Sequence, residues 1–301
     1  MSTRTRSLRV WVLFGALALL WGTNFLWIKV ALTAFTPVGL TLCRLALGAV
    51  TLLPIALARS GGLPRERGLW LHLAVAALLG NAAPYLLFAL GERHASSGLA
   101  GVMNATTPMW TVLLALALRT QRTLPATQTL GLALGFAGCL AIFEPWSSVP
   151  GENSPLGLGL YLAAAISYAV TYVYIGFIAS TGLSPFALSA AQLLASTGWL
   201  ALAAPFISLQ HRRVTVIAVV ALLVLGMLGT GIAHAVNYAL IHAAGTTPAS
   251  TVTYLIPVVS VLAGTSILHE RVTLVLVVGV VAVLAGTALA RRGAIRARVS
   301  R

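Results

Sequence analysis

Ten stretches of mostly apolar residues, each about long enough to cross a bilayer, divide the chain with little left between them. They run approximately over 10–32, 36–58, 69–91, 95–118, 125–143, 155–179, 184–206, 214–243, 247–268 and 272–290. A spanning helix needs ~20 predominantly apolar residues. Hydrocarbon offers no hydrogen-bond partners, and a helix satisfies its backbone internally. The gaps are too short for an extramembrane domain. The longest polar connection, EPWSSVPGENSP at 144–155, falls at mid-chain. The expected fold class is all-α, an integral membrane protein with ten transmembrane helices. Charge supports this: 8% of the 301 residues are charged, against about 25% in soluble domains.

The N-terminus mimics a signal peptide, because Arg4, Arg6 and Arg9 precede an apolar run containing Ala16, Leu17 and Ala18. That run continues well past the apparent cleavage site, so it reads as an uncleaved first span. The net charge is +14, and all five acidic residues are glutamates. No basic stripe is interleaved with aromatics, which argues against a nucleic-acid partner. Cys43 and Cys139 lie inside apolar runs and read as small buried residues rather than a disulfide.

The mid-chain position of the polar connection suggests a duplication. At a shift of about 148 residues, TPVGLTLCRL (36–45) lies over SPFALSAAQL (184–193), so Pro37 meets Pro185 and Arg44 meets Gln192. Trp21, Asn24, Phe25 and Ile28 lie near Tyr168, Thr171, Tyr172 and Ile175, and Pro108 near Pro257. Gly131 and Gly138 lie over Gly279 and Gly286. Residues 1–145 would form the first five-helix repeat and 146–301 the second, with a short basic tail. Five spans per repeat is odd, so the second repeat must be inverted relative to the first. Inverted repeats are common in secondary transporters, which place their substrate site near the midplane. With the N-terminus in the cytoplasm, thirteen arginines fall on the cytoplasmic side and four outside. The positive-inside rule then puts both termini in the cytoplasm. The expected location is the bacterial inner membrane.

WGTNF at 21–25, followed by Lys29, Pro37 and Arg44, resembles the first two helices of the drug/metabolite transporter superfamily, EamA family. Similar too are the paired Ala89, Leu90, Pro108 and Ala239, Leu240, Pro257, and the ending ILHERVTLVLVVGVVAVLAG, where Glu270 precedes a Gly-punctuated run. Gln121 stands where that glutamate would repeat in the first half. The resemblance implies a central cavity, alternating access, and export of small metabolites, amino acids or drugs.

Trp21, Asn24, Phe25 and Ile28 follow i, i+3, i+4, i+7 and share one helix face. Asn24 is a candidate for lining the cavity. Lys29 is a possible electrostatic element or a snorkelling residue at the outer interface. Arg44 lies about eight residues into its span, on the order of 12 Å by the helical rise. A guanidinium there must pair or face water; it either pairs with Glu92, Glu144 or Glu270 at the outer rim or contacts substrate. Pro84, Pro108 and Pro257 remove backbone hydrogen bonds and free the carbonyls of Gly80, Asn104 and Thr253, which marks them as candidate hinges. Tyr85, Asn104, Tyr168, Tyr172, Asn237, Tyr238 and Tyr254 complete, with Trp21, an aromatic, weakly polar substrate site. His234, deep in its span, is the candidate proton carrier.

The expected function is a secondary transporter, an exporter of small organic metabolites such as amino acids. It would work with the bilayer and a small-molecule substrate, as a monomer and without cofactor or metal. The alternative in the same class is a proton-coupled multidrug efflux pump. Such pumps in the small multidrug resistance cousins use a glutamate in the first helix, and none occurs here. An intramembrane enzyme would need a catalytic constellation, and the spans carry none.

Overall fold

The structure is a computed structural model describing residues 3–60, 62–119, 125–143, 154–178, 184–206, 213–244 and 251–299. Gln121, Glu144, the 145/146 junction and most of the mid-chain connection lie outside the described residues. Seven helical stretches are long and apolar enough to span a bilayer, and three shorter apolar helices, 126–142, 252–268 and 274–289, fill the remaining expected positions. The chain is an all-α, multi-pass membrane protein.

Several spans are broken where the sequence suggested single helices. The first consists of α1 (Thr3–Gly22) and α2 (Asn24–Ala31). They join at Thr23, whose hydroxyl donates to Leu19 O at 2.7 Å. Such back-bonding by a threonine loosens a helix locally. Helix α3 (Pro37–Ser60) is continuous. The third span is α4 (Arg67–Ala77), a π-helical turn (Leu78–Ala82) and α5 (Ala83–Gly91). The fourth is α6 (Ser97–Asn104) and α7 (Thr107–Ala117), and the fifth is α8 (Ala126–Phe143).

The second half contains α9 (Pro155–Ile178), α10 (Pro185–Ala203) and α11 (Val216–Leu223). A second π-helical segment (Val224–Ile232) leads into α12 (Ala233–Ala244). A 3-10 turn (Thr251–Tyr254), α13 (Leu255–Leu268) and α14 (Leu274–Val299) follow. The last helix passes the expected end at 290, since the Ala- and Arg-rich sequence beyond favours helix. At the repeat offset of about 148, the first π turn falls on 226–230, inside the second. π turns commonly mark functional sites.

Glycines set the closest helix approaches. A Cβ on Gly138 would come within 2.8 Å of Gly279 O, and one on Gly286 within 2.4 Å of Gly135 N. Helices α8 and α14 therefore pack backbone to backbone, as small residues allow within a bilayer. Large apolar side chains such as Val50, Leu71, Leu202 and Val281 face outward, towards lipid.

Candidate functional site

The centre of the bundle is organised around Arg44. Its side chain is only 5% exposed. The guanidinium carbon lies 3.8 Å from the Tyr85 ring centroid, a cation–π stack. Nε donates to Thr230 Oγ1 at 3.0 Å. Thr230 Oγ1 in turn donates to Leu225 O at 2.9 Å, across the π-helical segment. The expected rim pairing of Arg44 with a glutamate is not what forms: Glu92 is within electrostatic reach, but among the described residues no carboxylate bonds to Arg44. The packing of α3 against the π segment turns the side chain inward instead.

Several candidates gather around this arginine. His234 Nδ1 lies 2.7 Å from Thr230 O. A carbonyl only accepts, so Nδ1 carries the proton. Trp21 meets the same imidazole edge-on at 6.5 Å between centroids. Asn24 Nδ2 donates to Gly229 O at 3.2 Å, and its buried Oδ1 has no hydrogen-bond partner. Asn24 Oδ1 fits only because Gly229 lacks a Cβ, which would stand 2.0 Å from it. Tyr168 lies within electrostatic reach of Tyr85, Arg44 and Tyr172. Tyr172 is 63% exposed yet also within electrostatic reach of Tyr85 and Tyr238, so it stands at the edge of the cluster. Tyr238 hydrogen-bonds Ser189 Oγ and tilts against Phe186 at 5.0 Å.

Other candidates stand apart. Tyr254 OH points to Thr287 O at 3.5 Å, towards the last helix. Asn104 ends α6, and its carbonyl, the one Pro108 would free, accepts from Thr107 Oγ1 at 2.7 Å. Asn237 is half-buried on α12 between His234 and Tyr238. The hinge candidates Pro84 and Pro108 occupy the first turn after a helix break, and Pro257 follows the 3-10 turn. The sequence alone does not single out Thr230 and Phe88. Phe88 packs near Phe25, Tyr161 and Tyr168, with centroids 5.1, 5.7 and 6.2 Å away. A threonine flanked by two glycines in GTG (229–231) was the available signal for Thr230.

The two ends of the bundle differ. At the end bearing the N-terminus, a cavity of about 630 Å³ is lined by Arg9, Ile55, Arg59, Phe186, Tyr238 and His242, among others. It shares Tyr238 with the central cluster. At the far end, hydrogen bonds tie neighbouring segments together. Lys29 Nζ donates to Glu92 O at 2.5 Å and Ala95 O at 2.9 Å. Lys29 therefore holds backbone carbonyls rather than snorkelling outward. Tyr161 OH reaches Ala95 O and Ser96 O at 3.2 and 3.1 Å. Glu270 Oε1 and Oε2 accept from Ser97 N and Gly98 N at 2.7 and 3.0 Å, capping α6 with charge of the favourable sign. His269, in the left-handed region at φ 55°, turns the chain that carries this carboxylate.

A sequence profile described as the EamA-like transporter family matches residues 9–144 and again 155–292. An uncharacterized transporter of Bacillus subtilis, YvbV, is 29% identical over 284 residues, covering 90% of this chain and 88% of that protein. Protein PagO of Salmonella typhimurium is 26% identical, covering 85% and 84%. A crystal structure titled only as that of a protein shares the fold at a TM-score of 0.65 and 21% identity, over 97% of this chain and 99% of that one.

Proposed function

The chain belongs to the EamA-like transporter family, and from that premise we propose that it exports small carboxylate-bearing organic solutes, amino acids among them, by alternating access. Arg44 carries this reading. A buried cation stacked on Tyr85 and bonded to one hydroxyl has no bonded carboxylate among the described residues, and burying an unpaired charge is unfavourable. A solute carboxylate would complete the pair. Trp21, Tyr168, Tyr172 and Tyr238 supply aromatic walls, and the free Asn24 Oδ1 can accept from an amine. The role is transport rather than catalysis. A permanent cation would meet Arg44 with no carboxylate to offset it. In proteoliposomes, amino acids and other carboxylates should therefore compete for transport far better than quaternary ammonium compounds of similar size. Specific uptake of a permanent cation that carboxylates do not inhibit would overturn the assignment.

Thirteen arginines against four support cytoplasmic termini. The Arg9- and Arg59-lined cavity then faces the cytoplasm, and the state described is inward-open with its outer end sealed. Reporter fusions at residue 150 and at the C-terminus should report outside and inside respectively. A C-terminus found outside contradicts both the orientation and the inverted repeat.

A further inference from the structure

The far-end seal contains a carboxyl group that the transport reading does not use. Glu92 sits one residue beyond α5, at the α5–α6 corner, and is 1% exposed. Neither Oε1 nor Oε2 has a hydrogen-bond partner. The neighbouring cation, Lys29, spends its two bonds on the Glu92 and Ala95 backbone carbonyls. An ionised carboxylate buried this close to an ammonium would draw the ammonium to itself. Here Lys29 stays on the two carbonyls and leaves both carboxyl oxygens unbonded, an arrangement that a neutral acid permits.

We propose that Glu92 is a proton-binding site that latches the far end of the transporter: the proton holds the seal shut, and its loss releases Lys29 from the Ala95 carbonyl and lets the end open. The groups facing Glu92 are Lys29 on α2, Arg44 on α3, Tyr161 on α9 and Glu270 before α14. Arg93 and His94 on its own corner are exposed. Glu270 is already committed to the α6 amides, so it does not exchange roles with Glu92. Gly91 permits the arrangement, because a Cβ there would strike the Tyr161 ring at 2.5 Å. Gly157 likewise admits the corner, with His94 backbone carbon 2.9 Å from its missing Cβ.

Burial pushes the Glu92 carboxyl well above the usual carboxylate range, Lys29 pulls it back, Glu270 raises it and Arg44 lowers it. Opening hydrates the group and returns it towards an ordinary glutamate, about 4.3. The closed state thus binds the proton more tightly. Closure is favoured in acid and lost as pH rises through the closed-state value. For one linked proton, the closed-to-open ratio changes by at most roughly tenfold per pH unit.

This inference rests on alternating access but needs no solute to be tested, so its failure is separable from a wrong substrate class. Spin labels at Val216 and Leu274, exposed by 83% and 79%, flank the seal on the α11 and α14 sides. They can be introduced as cysteines with Cys43 and Cys139 replaced by alanine. Distance distributions in nanodiscs from about pH 5 to about pH 9 should shift from short to long in the otherwise unchanged protein. Glu92→Gln, a permanent mimic of the protonated acid, should stay short throughout. Glu92→Asp should keep the transition at a moved midpoint. A pH-independent distance in the parent, or a transition surviving unchanged in Glu92→Gln, overturns the proposal. Should Glu92→Gln fail to give a monodisperse protein, an unmoved midpoint in Glu92→Asp overturns it equally, and a moved one supports it.

Discussion

Arg44→Ala should reduce transport of a carboxylate substrate by about tenfold to a hundredfold while leaving folded yield nearly unchanged. A charge-assisted hydrogen bond contributes about 1.5–3 kcal/mol, and 1.4 kcal/mol is about a factor of ten in affinity. The fold should tolerate the change because the guanidinium is a buried cation without an acidic partner among the described residues, held by Tyr85 and Thr230 alone. Arg44→Lys should fall between the two. It keeps a positive charge but loses the flat face that stacks on Tyr85 and the fork that matches a carboxylate. Concentration dependence of uptake in proteoliposomes checks this. Equal uptake by all three proteins would make Arg44 a packing residue.

Gly286→Val should prevent correct assembly of the last helix. Even the first added carbon would lie 2.4 Å from Gly135 N and 2.6 Å from Gly131 O, both backbone atoms that cannot rotate away. Overpacking that only moves side chains costs about 1–3 kcal/mol; here two helices must separate, so the loss should reach or exceed the top of that range. Gly15→Ala is the matched control, since nothing lies within 4 Å of its added carbon. Thermal unfolding in detergent should show a clear drop for Gly286→Val and almost none for Gly15→Ala. Similar melting curves would mean that α8 and α14 do not touch through their glycines.

Much of this fold is legible in the sequence, and the chemistry at its centre is less so. Apolar length placed the seven long spans and the three shorter apolar helices, because the bilayer leaves one solution for a lone backbone. Glycine spacing in 131–138 and 279–286 flagged a shared feature of the halves, and its meaning as helix contact needed the approach distances. Arg44 was legible as costly. Its partners were not, because Thr230 and Tyr85 lie 186 and 41 residues away, the first on a π-helical segment and the second on α5. Nothing in GMLGTGI (226–232) distinguishes a π segment from a glycine-softened α-helix. Glu92 looked like a loop residue at a span end; its burial arises from Lys29, Tyr161 and Glu270 converging from three distant segments. Helix breaks at Thr23 and Ala105–Thr106 also escaped the hydropathy pattern, since the residues on both sides remain apolar.

Glu270 has a consequence for how the protein is made. The amides of Ser97 and Gly98 wait for a carboxylate that leaves the ribosome 173 and 172 residues later. Until then the first amides of α6 lack their carboxylate cap, and this end of the first repeat is unfinished. A nascent chain stopped after its fifth helix lacks the carboxylate that caps α6, so the second repeat completes the first at this corner.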